Sequence, residues 1–324
     1  MDSLRNIAIM RVAIFGGAGF IGTNIIELLS LEDDAELFCF DNLSAGNQLL
    51  RLNPMPKVSL WQGDMTIAKE VNEFVRTIKP HKIFHLVANS DIASASQDAS
   101  LDYSKTFQTT CNLVNALSKN PLCELVFASS SAVYGPHKKS VIESADKNPI
   151  SSYGWMKLAS EVALTSAFEA GKISKLLITR FPNVTGKYQT HGVLFDLINQ
   201  IRRSPDRLEV LGNGSQTKPY MDAQELSGII FRLINTIEDG ITTVNISTTD
   251  CVSVREIVEM ILMRTQLNPE VIFQQSEAGW IGDIPSYQLE ISQLRSLLPD
   301  WHPKSSIEAI RSGIEYMWRN YVAQ

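Results

Sequence analysis

Val12-Ala13-Ile14-Phe15-Gly16-Gly17-Ala18-Gly19-Phe20-Ile21-Gly22 is the stretch that decides the fold. Four apolar residues in a row read as a strand, and the glycines after it read as a tight turn that opens a helix. Such a turn aims free backbone N–H groups at whatever lies above it. The helix dipole adds positive potential there, so a pyrophosphate fits. Gly16 permits the turn, Gly19 lets phosphates approach, and Gly22 lets helix and strand pack closely. The next apolar run, Leu37-Phe38-Cys39-Phe40, ends in Asp41, 19 residues beyond Gly22. A carboxylate at that point takes the hydroxyls of an adenosine ribose, and its charge repels the extra phosphate of NADP, so the cofactor implied is NAD. The competing reading is a structural turn with an exposed Asp capping a loop.

A second signal lies more than a hundred residues on, in Ser151-Ser152-Tyr153-Gly154-Trp155-Met156-Lys157. The serines ahead of helix formers read as a helix start, and Tyr153 and Lys157 then share one face at i and i+4. A free phenol is a poor base near neutrality, and a cation beside it favours the phenolate. Oxidising an alcohol by hydride transfer requires its proton to leave as well, which is what such a pair supplies. Taken alone, the spacing also fits a solvated helix face.

Strand-like runs at 11–15, 37–40, 58–60, 82–87, 124–129 and 175–180 alternate with helical stretches near 20–30, 66–78, 103–119 and 153–170. That alternation predicts an α/β protein with a Rossmann-type, doubly wound parallel sheet. After Arg180 the rhythm breaks into polar loops at 183–192 and 212–220, with helices near 193–203, 222–236, 253–264 and 305–319. The division expected is a dinucleotide-binding domain at 1–180 and a smaller C-terminal α/β lobe for substrate at 181–324, some of whose segments return to the first.

Composition narrows the class further. A net charge of −6 without a basic stripe argues against a nucleic-acid partner. Cys39, Cys111, Cys123 and Cys251 lack metal-type spacing and form no disulfide scaffold, so no metal is expected and the thiols read as reduced, as in a cytosol. The residues before Met10 lack the pattern of a signal peptide, Met10 could equally be the start, and no apolar run is long enough to cross a bilayer.

With these residues in view, the chain resembles the extended short-chain dehydrogenase/reductases, and within them the nucleotide-sugar epimerases of the UDP-galactose 4-epimerase type. The resemblance runs from Arg11 to about His302. Its landmarks are the glycine loop, Asp41-Asn42-Leu43-Ser44, Gly63-Asp64, Phe84-His85-Leu86-Val87-Ala88 and Ser129-Ser130-Ser131-Ala132-Val133-Tyr134-Gly135. The Tyr153/Lys157 pair, Arg180-Phe181-Pro182-Asn183-Val184-Thr185-Gly186, Gly212-Asn213-Gly214-Ser215-Gln216-Thr217-Lys218 and Gly282-Asp283-Ile284-Pro285 complete the series.

The resemblance implies a site. Cofactor contacts fall on Gly16, Gly19, Phe20, Ile21, Gly22, Asp41, Asn42, Ser44, Asp64, Met65, Leu86, Ala88, Tyr153 and Lys157. Catalysis falls on Ser130, Tyr153 and Lys157, with Ser131 as the rival hydroxyl. Substrate contacts fall on Ser130, Ser131, Asn183, Val193, Lys218 and Tyr287. Dehydratase relatives carry Asp-Glu just after the catalytic hydroxyl, where this chain has Ser131 and Ala132, so elimination of water lacks its acid and base. What this leaves is NAD-dependent 4-epimerisation of a nucleotide-sugar, with a UDP-hexose as substrate, in a cytoplasmic homodimer. The alternatives are a nucleotide-sugar 4-ketoreductase or dehydrogenase, and a catalytically silent NAD-binding protein of the same fold. Several positions depart from the family. Lys218 and Trp280 stand where relatives grip the diphosphate with Arg, Phe15 and Thr106 replace the usual Thr and Asn, and Tyr287 falls where relatives select sugar size. His85 and His137 invite catalytic readings, but His85 lies inside an apolar strand and reads as core.

Overall fold

The computed structural model describes residues 9–44, 52, 55, 57–89, 98–117, 122–279 and 282–322. Seven parallel strands form the central sheet: β1 (Met10–Phe15), β2 (Ala35–Asp41), β3 (Val58–Gln62), β4 (Lys82–His85), β5 (Cys123–Ala128), β6 (Ile173–Arg180) and β11 (Gly240–Asn245). Their order across the sheet is β11-β6-β5-β4-β1-β2-β3, so the winding reverses between β1 and β4. Ligands of doubly wound sheets bind in the crevice at such a reversal. Phe15, the last residue of β1, sits opposite Phe40 of β2 and His85 of β4, placing the glycine turn directly above that crevice.

Alternation along β1 decides what covers each face. Val12 and Ile14 point into the layer made by α1 (Phe20–Leu29) and α6 (Ala223–Thr236). Ala13 and Phe15 point into the layer of α2 (Ala68–Ile78), α3 (99–116) and α4 (Ser152–Glu169). Both sets are almost fully buried, as a strand covered on both faces requires. Phe15 departs from the family pattern because its ring belongs to this second layer. It lies 5.2 Å from Phe40 and 5.2 Å from Phe74, and Trp61 lies 5.5 Å from Phe74. Helix α3 is continuous, with Tyr103–Gln108 wound as π-helix.

The remaining segments build the smaller lobe: α5 (Val193–Arg203), α7 (Val254–Thr265), α9 (Ser306–Met317) and three two-stranded sheets around one apolar cluster. Its sheets pair β7 (Asn183–Thr185) with β10 (Tyr220–Asp222), β8 (Arg207–Val210) with β13 (Glu270–Phe273), and β9 (Thr217–Lys218) with β12 (Val252–Ser253). Helix α8 (Ser292–Leu297) joins the first layer through Leu294. Strand β11 and helix α6 also return to the first unit, β11 pairing along β6 from Gly240–Lys175 to Asn245–Arg180. No helix among the described residues is long and apolar enough to cross a membrane.

Candidate active site

The C-terminal ends of β1, β2, β4 and β5 open into one cavity of about 1460 Å³ that continues into the smaller lobe as far as β8 and β9. Every cofactor, catalytic and substrate contact named from the sequence lines it except Tyr287, and Trp280 falls outside the described residues.

At the first end, Gly16 has φ +79°, and helix α1 starts at Gly19 without a side-chain cap or an acidic residue in its first turn. A Cβ on Gly22 would lie 2.2 Å from the Gly16 carbonyl oxygen, so the helix meets the turn as closely as the sequence predicts. Asp41 closes this end. Its Oδ2 accepts from Ala18 N–H at 3.0 Å and its Oδ1 from Leu43 N–H at 2.8 Å. Burial raises its pKa, and these two bonds oppose the rise. Asn42 donates to Asp64 at 3.0 Å, and Thr66 donates to Asp64 through both its N–H (2.8 Å) and its hydroxyl (2.7 Å). Burial alone would raise the Asp64 pKa, but these bonds and Lys105 hold it below its ordinary value. The cradle, the uncapped helix start and the anchored carboxylate therefore fit a dinucleotide.

At the floor, Ser151 caps α4 by accepting from Gly154 N–H at 3.2 Å. Gly154 is needed here, because a Cβ would lie 2.6 Å from the Ala132 carbonyl oxygen. That close approach sets the first turn of α4 against the loop after β5 and brings Tyr153 to Ser130. Ser130 caps the short turn Ser131–Val133 by accepting from Ala132 N–H at 3.1 Å, and its hydroxyl faces the Tyr153 phenol closely enough to lower the phenol's pKa. Ser131 instead faces the Tyr287 phenol and lowers its pKa, against the rise that burial causes. The fold thus separates two hydroxyls that the sequence leaves as rivals.

Lys157 is 2% exposed, donates to the Ala128 carbonyl oxygen at 2.6 Å, and stands 4.9 Å from the centre of the Phe127 ring and 5.7 Å from that of Tyr153. Burial lowers its pKa to about 7, against an upward pull from Glu161. The phenol differs from the sequence-based expectation. Burial raises its pKa, Ser130 opposes the rise, and the Asp102 carboxylate adds to it. A low dielectric penalises the phenolate, while the ammonium is turned toward a backbone carbonyl. Behind Lys157, Glu161 accepts Arg180 as a fork at 2.9 and 2.6 Å and takes a bond from Ser129 at 2.5 Å. Arg180 also donates to the Tyr134 hydroxyl at 2.9 Å. This buried network locks α4 to β5 and β6. Ser129 and Arg180 stand in landmark stretches of the sequence, but no spacing pattern links them to Glu161.

His85 is fully buried with its pKa lowered to about 3, by burial and by Lys157, so it stays neutral. His137 shares Nε2 contacts with the Tyr134 and Asp146 carbonyls outside the cavity. The buried Thr106 hydroxyl accepts from Asn89 N–H at 3.0 Å and fixes the loop after β4.

Toward the second end, Asn183 lowers the pKa of the Tyr220 and Tyr287 phenols, against the rise that burial causes in each. Lys218 forms an ion pair with Asp283, both mostly buried, and Asp283 also accepts from Gly279 N–H at 3.1 Å. Tyr220 and Asp283 line the cavity and were not singled out from the sequence as contacts. Val193 opens α5, whose cap Gly192 provides no side-chain hydrogen bond.

A dinucleotide cradle at the sheet reversal, with a Ser-Tyr-Lys cluster at its floor, defines an NAD-dependent short-chain dehydrogenase/reductase of the extended type. The chain belongs to the NAD dependent epimerase/dehydratase family, whose profile matches residues 12–247. It is similar to a putative UDP-glucose 4-epimerase of Methanocaldococcus jannaschii, 26% identical over 316 residues that cover 95% of this chain and 99% of that one. Among solved structures, a UDP-galactose 4-epimerase superposes with a TM-score of 0.84 at 27% identity, covering 96% of this chain and 100% of that one. A Bacillus cereus UDP-glucuronic acid 4-epimerase, solved with UDP-glucuronic acid and NAD, superposes with a TM-score of 0.86 at 20% identity, over 96% and 100% of the two chains.

Proposed function

We propose that the chain epimerises a nucleotide-sugar, most simply C4 of a UDP-hexose, through a transient 4-keto sugar. The observation that carries this reading is the meeting of Ser130, Tyr153 and Lys157 on one cavity that runs from the glycine turn to Lys218. Gly16, Gly19, Phe20, Ile21, Gly22, Asp41, Asn42, Ser44, Asp64, Met65, Leu86 and Ala88 would hold NAD. When bound, NAD supplies the acceptor and donor for the hydrogen of the sugar C4–H bond. Tyr153 takes the proton of the C4 hydroxyl, and Ser130 orients that oxygen and shares its hydrogen bond. Lys157 holds the cofactor side of the floor. Ser131 and Ala132 offer no carboxyl group to expel water from the ketone, so the sugar turns over and recovers hydrogen on its opposite face. Asn183 and Val193 would hold the sugar and diphosphate, both lining the cavity at this end. Lys218 would do so as half of a pair with Asp283, since its charge is already matched.

Incubation of the NAD-loaded protein with UDP-, GDP-, dTDP- and CDP-hexoses tests the reading. Inverted C4 with no net NADH supports it. Stoichiometric NADH points instead to a dehydrogenase, and no turnover with any sugar points to a silent NAD-binding protein.

We propose a cytoplasmic location, which four free thiols suit. A homodimer would use α3 and α4, whose outer faces expose Tyr103 (52%), Trp155 (50%) and Val162 (64%). Val162→Glu should halve the mass seen by sedimentation equilibrium, and an unchanged mass would remove this face as the contact.

A further inference from the structure

Tyr153, Lys157 and Glu161 follow one another at i, i+4 and i+8 along one face of α4. The end of β5 runs beside that face. The Ala128 carbonyl oxygen accepts from Lys157 at 2.6 Å, and the next residue, Ser129, donates its hydroxyl to Glu161 Oε1 at 2.5 Å. The residue after that is Ser130. Two of these contacts involve groups that the reaction uses, and Ser129–Glu161 lies between them.

Ser129, Glu161 and Arg180 are 1%, 5% and 3% exposed. Arg180 donates to both carboxylate oxygens of Glu161, at 2.9 and 2.6 Å, so Glu161 keeps its counter-charge and its place whether or not Ser129 is there. The hydroxyl therefore adds a tie from the helix to the strand end rather than support to the ion pair. A buried ion pair gains little net stability over apolar side chains of the same volume, and its best-attested use is to fix register. Register matters at this point, because β5 and its pairing with β6 end at Ala128. Past that residue the Ser129 N–H reaches the Thr179 carbonyl oxygen at 2.9 Å and the Ser129 hydroxyl reaches Glu161, so the sheet holds its backbone and the helix its side chain.

We propose that Ser129 is a positioning residue for the reaction: anchored on the Glu161–Arg180 pair, it fixes the strand end so that Ser130 and the Ala128 carbonyl stay in register with Tyr153 and Lys157. This rests on the reading of Ser130, Tyr153 and Lys157 given above. Transfer of a proton and a hydrogen at one carbon needs these groups placed together, and a misplacement of about 1 Å can cost on the order of 100-fold in rate.

The test is Ser129→Ala in the NAD-loaded protein, where Arg180 still matches Glu161 and no buried charge is stranded. With the preferred sugar, kcat should fall by about 10- to 100-fold while KM and the NAD content stay at wild-type values. Ser129→Thr keeps the hydroxyl and should recover most of the lost kcat. Where Ser129→Ala folds poorly, Ser129→Cys fills the space with a weak donor and serves in its place. If kcat per bound NAD is unchanged while the thermal midpoint falls, Ser129 only supports the fold and the proposal fails. It fails equally if the Thr variant is as slow as the Ala variant. A second readout needs no turnover: with tyrosines labelled at Cζ by carbon-13, the Tyr153 resonance, identified by its loss in Tyr153→Phe, should shift in Ser129→Ala and return in Ser129→Thr. An unmoved resonance would overturn the proposal. A wild-type protein inactive on every sugar would overturn the epimerase reading, while the resonance still decides the role of Ser129.

Discussion

Tyr153→Phe should lower turnover by a factor on the order of 100 to 10,000, the range that a positioned proton-transfer group contributes. NAD should remain bound. The substitution removes one oxygen and leaves the ring on α4, while Lys157 keeps its bond to the Ala128 carbonyl oxygen. The glycine turn and Asp41 lie at the other end of the cavity and lose nothing. Absorbance of NAD released on denaturation, set beside turnover of the preferred sugar, separates the two effects. A variant that keeps wild-type turnover would place the base elsewhere, and one that loses NAD would make Tyr153 a binding residue first.

Gly22→Ala should abolish stable NAD retention. The added Cβ would meet the Gly16 carbonyl oxygen at 2.2 Å and the Gly17 Cα at 2.7 Å, and both are backbone atoms that no side-chain rotation can move aside. The helix must withdraw from the turn, and the N–H groups aimed at the pyrophosphate withdraw with it. We expect NAD affinity to fall by at least about 100-fold, a loss of roughly 3 kcal/mol, as measured by calorimetry on protein stripped of cofactor. Gly228→Ala is the matched control. Nothing lies within 4 Å of its Cβ, and it sits inside α6, where Ala is favoured over Gly by about 0.5–1 kcal/mol. NAD affinity unchanged in Gly22→Ala would mean that the close packing of α1 on β1 is not what forms the cradle.

The cofactor half of the site was legible because its signals are local. A strand, a glycine turn and a helix follow one another within 20 residues, and each carries its own backbone chemistry. Tyr153 and Lys157 were legible for the same reason, since a helix fixes the geometry of i and i+4 whatever surrounds it. Electrostatics was not legible. The sequence assigns Lys157 the task of favouring the phenolate, yet burial and Asp102 push the phenol the other way. Lys218 read as a cation for the diphosphate, and its partner Asp283, 65 positions away, became visible only in the folded chain. Tyr287 read as a wall of the sugar site, whereas it is absent from the lining of the cavity.

By itself, then, the order of residues determined the parallel sheet, the glycine turn between strand and helix, and the shared helix face of Tyr153 and Lys157, because short-range backbone geometry dictates all three. Tertiary structure alone decided which serine faces the phenol, that Asp102 is buried against Asn89 and Ser152, and that Arg180 and Glu161 lock the helix beneath. It also decided that β11, from beyond position 180, completes the sheet. These outcomes depend on which distant side chains share a low-dielectric interior, where burial and unpaired charge set the energies, and no spacing along the chain encodes that proximity.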